Sequence, residues 1–155
     1  MIAERRIERL GTQPSGLLLA IDVGNTHITI GVFRQSLLLR TWRLQTDRHA
    51  TADELGLLLT ALLKRSTRSG DELLGIVMAS VVPLLDGPLA KACALYLHHA
   101  PLVVNSHAKL GIINRYRHPE EVGADRLVNA VAVHHHWKKA VIVVDFGTAT
   151  TFDCV

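Results

Sequence analysis

Residues 17–33 read LLLAIDVGNTHITIGVF, and this stretch decides the fold. An apolar run over residues 17–22 ends on a carboxylate, Asp22. The turn Val23-Gly24-Asn25-Thr26 follows, and residues 27–33 then alternate, with Ile28, Ile30 and Val32 on one face and Thr29 and Gly31 on the other. That period of two is a strand signal. A third β-prone run over residues 37–44 comes after a short polar turn, so the opening predicts an antiparallel meander. Near the other end, residues 141–151 (VIVVDFGTATT) repeat the design: an apolar run, Asp145, then Gly147 and a series of threonines.

Between the two turns the pattern changes to alternating helices and strands. Thr51 and Glu54 form a capping-box signature, and Leu55, Leu58, Leu59, Leu62 and Leu63 follow at helical spacing as one buried stripe, with Ser69 and Gly70 ending the helix. Residues 73–82 (LLGIVMASVV) predict a central strand covered on both faces and stopped by Pro83. A second helix is expected over 85–98, with Leu85, Leu89, Ala92 and Tyr96 on one side, then a short strand over 102–104. Residues 105–121 read as polar loop. A third helix is expected from about Val122 to Trp137, and a buried strand over 140–145. The order βββ-α-β-α-β-α is an α/β fold with a mixed sheet and helices on its faces. It matches the ribonuclease-H-like half of the actin-type kinases. The repeated turn predicts the first strand of a second copy of that fold. The expected divisions are a loose extension over 1–16, a first domain over 17–138 and the start of a truncated second domain over 139–155.

The 155 residues are enough for one domain with a real core. No apolar run approaches the ~20 residues of a membrane helix, and residues 1–16 lack a signal-peptide core. Cys93 and Cys154 are far apart and form no ligand or redox motif, which fits a cytoplasmic setting. A net charge of +3 with 5% aromatic residues, and no dense Lys/Arg stripe, argues against a nucleic-acid partner. His134, His135 and His136 are consecutive, so on a helix they point in three directions and cannot form one metal site.

The turns carry the chemistry. Asp22 ends a strand, and Gly24 removes the Cβ that would keep a phosphate from the backbone. Asn25, Thr26 and Thr29 supply neutral donors beside backbone N–H groups able to form an anion-binding concavity. A carboxylate next to phosphate serves by holding a hydrated Mg²⁺ that bridges phosphate oxygens. Alone, this turn reads equally well as an ordinary hairpin; the second turn tips it toward nucleotide binding, with two jaws on one polyphosphate. The third element is VGADRLVNAV, residues 122–131. Asp125 stands at the positive end of a helix dipole, which suits a carboxylate. It is placed to orient a substrate hydroxyl and take its proton late in phosphoryl transfer. Arg126 offers a donor fork for an acidic or carbonyl-bearing substrate. Alone, this pair also reads as helix capping with a surface salt bridge.

The stretches IDVGNT, WRLQTDRHATADELG, SVVP, GADR and VVDFGTATTFD, in this order and spacing, together resemble the type III pantothenate kinases of the actin-like superfamily. The resemblance covers roughly residues 17–155. It implies ATP-dependent phosphorylation of pantothenate at its primary hydroxyl, the first step toward coenzyme A, by a homodimer using Mg²⁺ and a monovalent cation, K⁺ or NH₄⁺. By position it makes Asp22, Val23, Gly24, Asn25, Thr26, His27, Ile28 and Thr29 the ATP phosphate loop and Thr148 a further ATP contact. Tyr116, Gly123, Ala124, Asp125 and Arg126 become pantothenate contacts, with Asp125 the proton acceptor and Asp145 the monovalent-cation ligand.

The family's chains continue past the second turn, so the resemblance reads this chain as an incomplete product holding the first domain. Dimerisation is expected through the helix carrying Asp125, whose Val128 and Val131 are otherwise partly uncovered. Two alternatives share the fold: a non-catalytic regulator, such as the accessory transcription factors described among family relatives, and a related sugar or acetate kinase, against which Tyr116 and GADR argue.

Overall fold

The computed structural model describes residues 16–66 and 70–155. The expected extension falls almost wholly outside the described residues, as does Ser69. The meander is β1 (Leu17–Val23), β2 (His27–Arg34) and β3 (Leu37–Gln45). Helix α1 (Ala52–Lys64), strand β4 (Leu73–Ser80), helix α2 (Pro83–Tyr96) and strand β5 (Leu102–Val104) follow. A 3-10 turn (Pro119–Glu121), α3 (Ala124–Trp137) and the strands β6 (Ile142–Phe146) and β7 (Thr150–Cys154) complete the chain.

The first five strands make one sheet in the order β3-β2-β1-β4-β5. The meander pairs are antiparallel, and β4 joins β1, and β5 joins β4, in parallel. This is the mixed, ribonuclease-H-like sheet that the sequence predicts. The pleat of β1 sends Leu17, Leu19, Ile21 and Val23 to one face, where all are buried. They pack with Ile28, Ile30 and Val32 of β2, Ile76 and Met78 of β4, and the stripes of α1 and α2. The opposite face is covered where Ala79 and Val104 meet Ala124 and Leu127 of α3. Asp22 lies in register with Ala79, so the alternation that buries Ile21 and Val23 sends Asp22 to the face over which α3 packs.

The capping box of α1 is formed as expected, with Thr51 Oγ1 accepting from the Glu54 N–H and the Glu54 carboxylate accepting from the Thr51 N–H at 2.8 Å. The helix ends at Lys64, before Ser69 and Gly70, and Leu58 of the expected stripe is exposed while Leu55 and Leu59 are buried. Gly56 lets α1 approach α2: a Cβ there would meet the Tyr96 ring at 2.2 Å.

Four expectations are corrected. Strand β4 ends at Ser80, and Pro83 opens α2 instead of stopping a strand. Proline has no N–H to lose at the first helical position, and its fixed φ suits a helix start. Strand β4 is central and covered on both faces only in its second half, where Ile76 and Met78 are buried on one side and Ala79 on the other; Leu74 at its start is 47% exposed. The expected buried strand over 140–145 is β6, and none of its residues is buried. It pairs only with β7, an unforeseen antiparallel partner, in a separate two-stranded sheet. Such a hairpin covers one face at most, and Ile142, Val144, Phe146 and Phe152 are exposed on the other. Helix α3 also begins at Ala124 rather than Val122, after the 3-10 turn.

Candidate functional site

The two glycine turns meet. Thr26 Oγ1 and Thr148 Oγ1 lie 3.1 Å apart, within one hydrogen bond, though 122 residues separate them. Each turn closes on its glycine: the Gly24 N–H donates to the His27 carbonyl at 2.9 Å, and the Gly147 N–H to the Ala149 carbonyl at 3.1 Å. The segment after β3 braces the first turn. Thr46 Oγ1 donates to the Gly24 carbonyl at 2.7 Å, and the Thr46 N–H to the Thr26 carbonyl at 3.0 Å. Arg48 Nη2 donates to Asn25 Oδ1 at 3.0 Å, and Arg43 Nη2 contacts His27 Nδ1 at 3.0 Å. Val23 and Ile28 are buried in the core and serve the turn as anchors. Thr29, in register with Asp22, shares its face.

Three carboxylates converge beside these turns. The Asp22 side chain is open to solvent, yet the protein around it partly strips its water and raises its pKa; the negative charges of Asp125 and Asp145 raise it further. Asp145 lies on β6 and accepts from Asn129 Nδ2 of α3 at 3.2 Å. Asp125 lies in the first turn of α3, where its Oδ1 accepts the Arg126 N–H at 2.8 Å. Gly123 is the N-cap of that helix, and a Cβ there would come within 2.5 Å of Asp125 Oδ1, so the glycine leaves room for the carboxylate.

A groove of about 750 Å³ runs between residues 111–116, α3 and β7, and Asp22, Asp125 and Asp145 are not among the residues that line it. Tyr116, Arg126 and Asp153 line it. The Arg126 guanidinium sits 5.2 Å from the centre of the Tyr116 ring. Its Nε donates to Asp153 at 2.9 Å, and its Nη2 donates to the same carboxylate. Of the residues singled out in the sequence, Thr26 thus meets Thr148, Asp125 and Asp145 act on Asp22, and Arg126 meets Tyr116, whereas Val23 and Ile28 turn into the core. Asn129, Asp153, Thr46 and Arg48 were not singled out. Asn129 had a visible signal, since it follows Asp125 by four residues and shares its helix face. Asp153 had none, because its partner is 27 residues away.

A family model described as type III pantothenate kinase matches residues 18–155. The chain belongs to the type III pantothenate kinase family. A type III pantothenate kinase of Moorella thermoacetica is 48% identical over 139 residues, covering 90% of this chain and 55% of the relative. Another, from Anaeromyxobacter sp. (strain K), is 46% identical with the same coverage. The chain thus spans about half the length of the curated type III pantothenate kinases it matches. Among solved structures, the ROK hexokinase of Thermus thermophilus is similar in fold, with a TM-score of 0.52 at 16% identity over 90% of this chain and 46% of that one. None of the helices in the described residues is long and apolar enough to cross a membrane.

Proposed function

We propose that this chain carries the phosphate-gripping and acceptor-binding elements of an ATP-dependent pantothenate kinase acting in the cytoplasm. The observation that carries the reading is the meeting of the two turns at Thr26 and Thr148 beside three carboxylates that repel one another. Such a cluster is stabilised by cations, and polyphosphate brings them. Asp22 and the turn from Val23 to Thr29 would receive the ATP phosphates on one side and Thr148 on the other. The donor set fits a hydrated Mg²⁺ at Asp22 and a monovalent cation, K⁺ or NH₄⁺, at Asp145, whose remaining lone pairs are free of Asn129. These ions supply charge neutralisation between carboxylate and phosphate.

Pantothenate would lie in the groove against Tyr116 and Arg126, which line it, and reach past the groove wall to Gly123, Ala124 and Asp125. Asp125 orients its primary hydroxyl toward the γ-phosphorus and accepts the proton as the O–P bond forms, and ADP leaves. An alcohol is too weak an acid to be deprotonated early, so positioning and charge stabilisation dominate. Val128 and Val131 of α3 are half-buried, which supports a homodimer through that helix.

The test is a coupled ADP-release assay on this chain with pantothenate, Mg²⁺ and K⁺, beside a titration of fluorescent ATP. Turnover that depends on pantothenate and is lost in Asp125→Asn is the expected result. Absence of Mg²⁺-dependent ATP binding would overturn the reading in favour of a non-catalytic module on this fold.

A further inference from the structure

We propose that Asp153 is a positioning residue that holds Arg126 in its working orientation on the groove wall. This rests on the pantothenate reading of that groove. Arg126 follows the proposed proton acceptor directly, so the placement of its guanidinium relative to Asp125 sets where a substrate is held relative to its reacting hydroxyl.

Arginine is long and rotamer-rich, and a groove arginine left to itself must be ordered by the ligand at a cost in affinity. Here the ordering is done in advance. Asp153 accepts from both Nε and Nη2, with Nε 2.9 and 3.1 Å from its two oxygens, and the Tyr116 ring flanks the guanidinium. The pair is largely withdrawn from solvent, at 21% and 16% side-chain exposure. Asp153 engages one edge of the fork, the Tyr116 side chain is a further partner, and the donors beyond these two remain for a ligand. It also balances the positive charge, so what remains is directional donation, suited to an amide carbonyl or a carboxylate with further contacts rather than to a bare inorganic anion.

The backbone explains why Asp153 arrives there. It faces Val143 across the hairpin, and Asp145 faces Thr151, so both aspartates lie on the half-buried side of β6 and β7. Arg126 and Asn129 are three residues apart on one face of α3, and they hold Asp153 and Asp145 respectively. Helix and hairpin are thus joined at two points, one on the acceptor side and one on the cation side.

The test uses Asp153→Asn and Asp153→Glu in this chain, with two readouts. One is ADP release, giving KM for pantothenate and kcat separately. The other is the Arg126 Nε–H signal by NMR, assigned by its loss in Arg126→Lys. The expected result for Asp153→Asn is a KM for pantothenate raised about three- to tenfold, corresponding to the cost of ordering one long side chain. Its kcat should change less than KM, and the Arg126 signal should lose its protection from exchange. Asp153→Glu, which keeps the charge, should recover part of both. A melting midpoint for each variant separates loss of fold from loss of position. If Asp153→Asn frees the Arg126 signal and lowers the midpoint while KM stays at the wild-type value, Asp153 is only a staple between α3 and β7 and the proposal is overturned. If the wild-type chain shows neither turnover nor a pantothenate-induced shift of the Arg126 signal, the pantothenate reading has failed and the proposal falls with it. If the wild type responds and Asp153→Asn responds equally, the proposal alone falls.

Discussion

Replacing Gly123 with alanine separates catalytic geometry from folding. The backbone of Gly123 has φ −58° and ψ 147°, a conformation open to alanine without strain. Alanine is a poorer N-cap than glycine, but it also reduces the freedom of the unfolded chain, and each effect is worth about 0.5–1 kcal/mol with opposite sign. Val81 Cγ1 at 3.2 Å from the new Cβ adds only mild crowding. The melting midpoint should therefore move by no more than about 2 °C. Asp125 Oδ1, by contrast, would stand 2.5 Å from the new Cβ and must retreat by about 0.9 Å to reach ordinary contact at 3.4 Å. A displacement near 1 Å of a group that positions the reacting hydroxyl costs about 100-fold in rate, a barrier increase of about 2.7 kcal/mol. Thermal unfolding followed by circular dichroism, beside pantothenate-dependent ADP release, reads both quantities. Turnover within twofold of wild type at an unchanged midpoint would refute the idea that Asp125 acts from the position seen here.

Gly56→Ala should destabilise the chain by about 1 kcal/mol net, because overpacking costs about 1–3 kcal/mol and the gain in helix propensity returns about 1. The Tyr96 ring cannot easily yield, since its hydroxyl donates to Asp53 at 2.6 Å; in a Tyr96→Leu background the same substitution should be neutral or stabilising, and urea titration reports both. The pKa of Asp22 is raised above the ordinary 3.8, so the folded chain holds this proton more tightly than the unfolded one, and this group's contribution to stability falls as pH rises through that raised value. Saturating Mg²⁺ with ATP should consequently raise the melting midpoint more at pH 7 than at pH 4, and Asp22→Asn should remove that dependence while making the ligand-free chain more stable at pH 7. Arg48→Ala releases Asn25 in an exposed setting, so it should weaken ATP binding by no more than about fivefold in a fluorescent titration. A larger loss would mean that Arg48 contacts phosphate itself.

Local rules made much of this molecule legible. The alternation of Ile28, Ile30 and Val32, the Thr51–Glu54 box and the leucine spacing of α1 each lie within a few residues, where sequence and geometry are tightly linked. The two turns were readable because Asp22 and Asp145 each end an apolar run and precede a glycine. Errors arose where one pattern has two physical meanings. The run preceding Asp145 is apolar on both faces of the strand, since Val143 turns toward the rest of the chain while Ile142 and Val144 turn outward, so composition alone could not reveal a one-sided hairpin. Pro83 breaks a strand and starts a helix equally well, and only the packing of Leu85 and Leu89 into the core decides which. Within the site, Asp125 and Arg126 stood out because they sit at a helix start, whereas Asp153 depends on the pairing of β6 with β7 and on the placement of that hairpin against α3, neither of which leaves a mark near residue 153.

That pairing makes chain length a stricter constraint on the hairpin than residue choice. Side chains alternate along β6 and β7, so one residue inserted or deleted between Val143 and Asp145 would send Asp145 to the side now held by Val144 and Phe146. Substitutions among Ile142, Val144 and Phe152 leave the aspartates where they are. Natural variation in this segment should therefore be rich in exchanges on the outer face and nearly free of single-residue gaps.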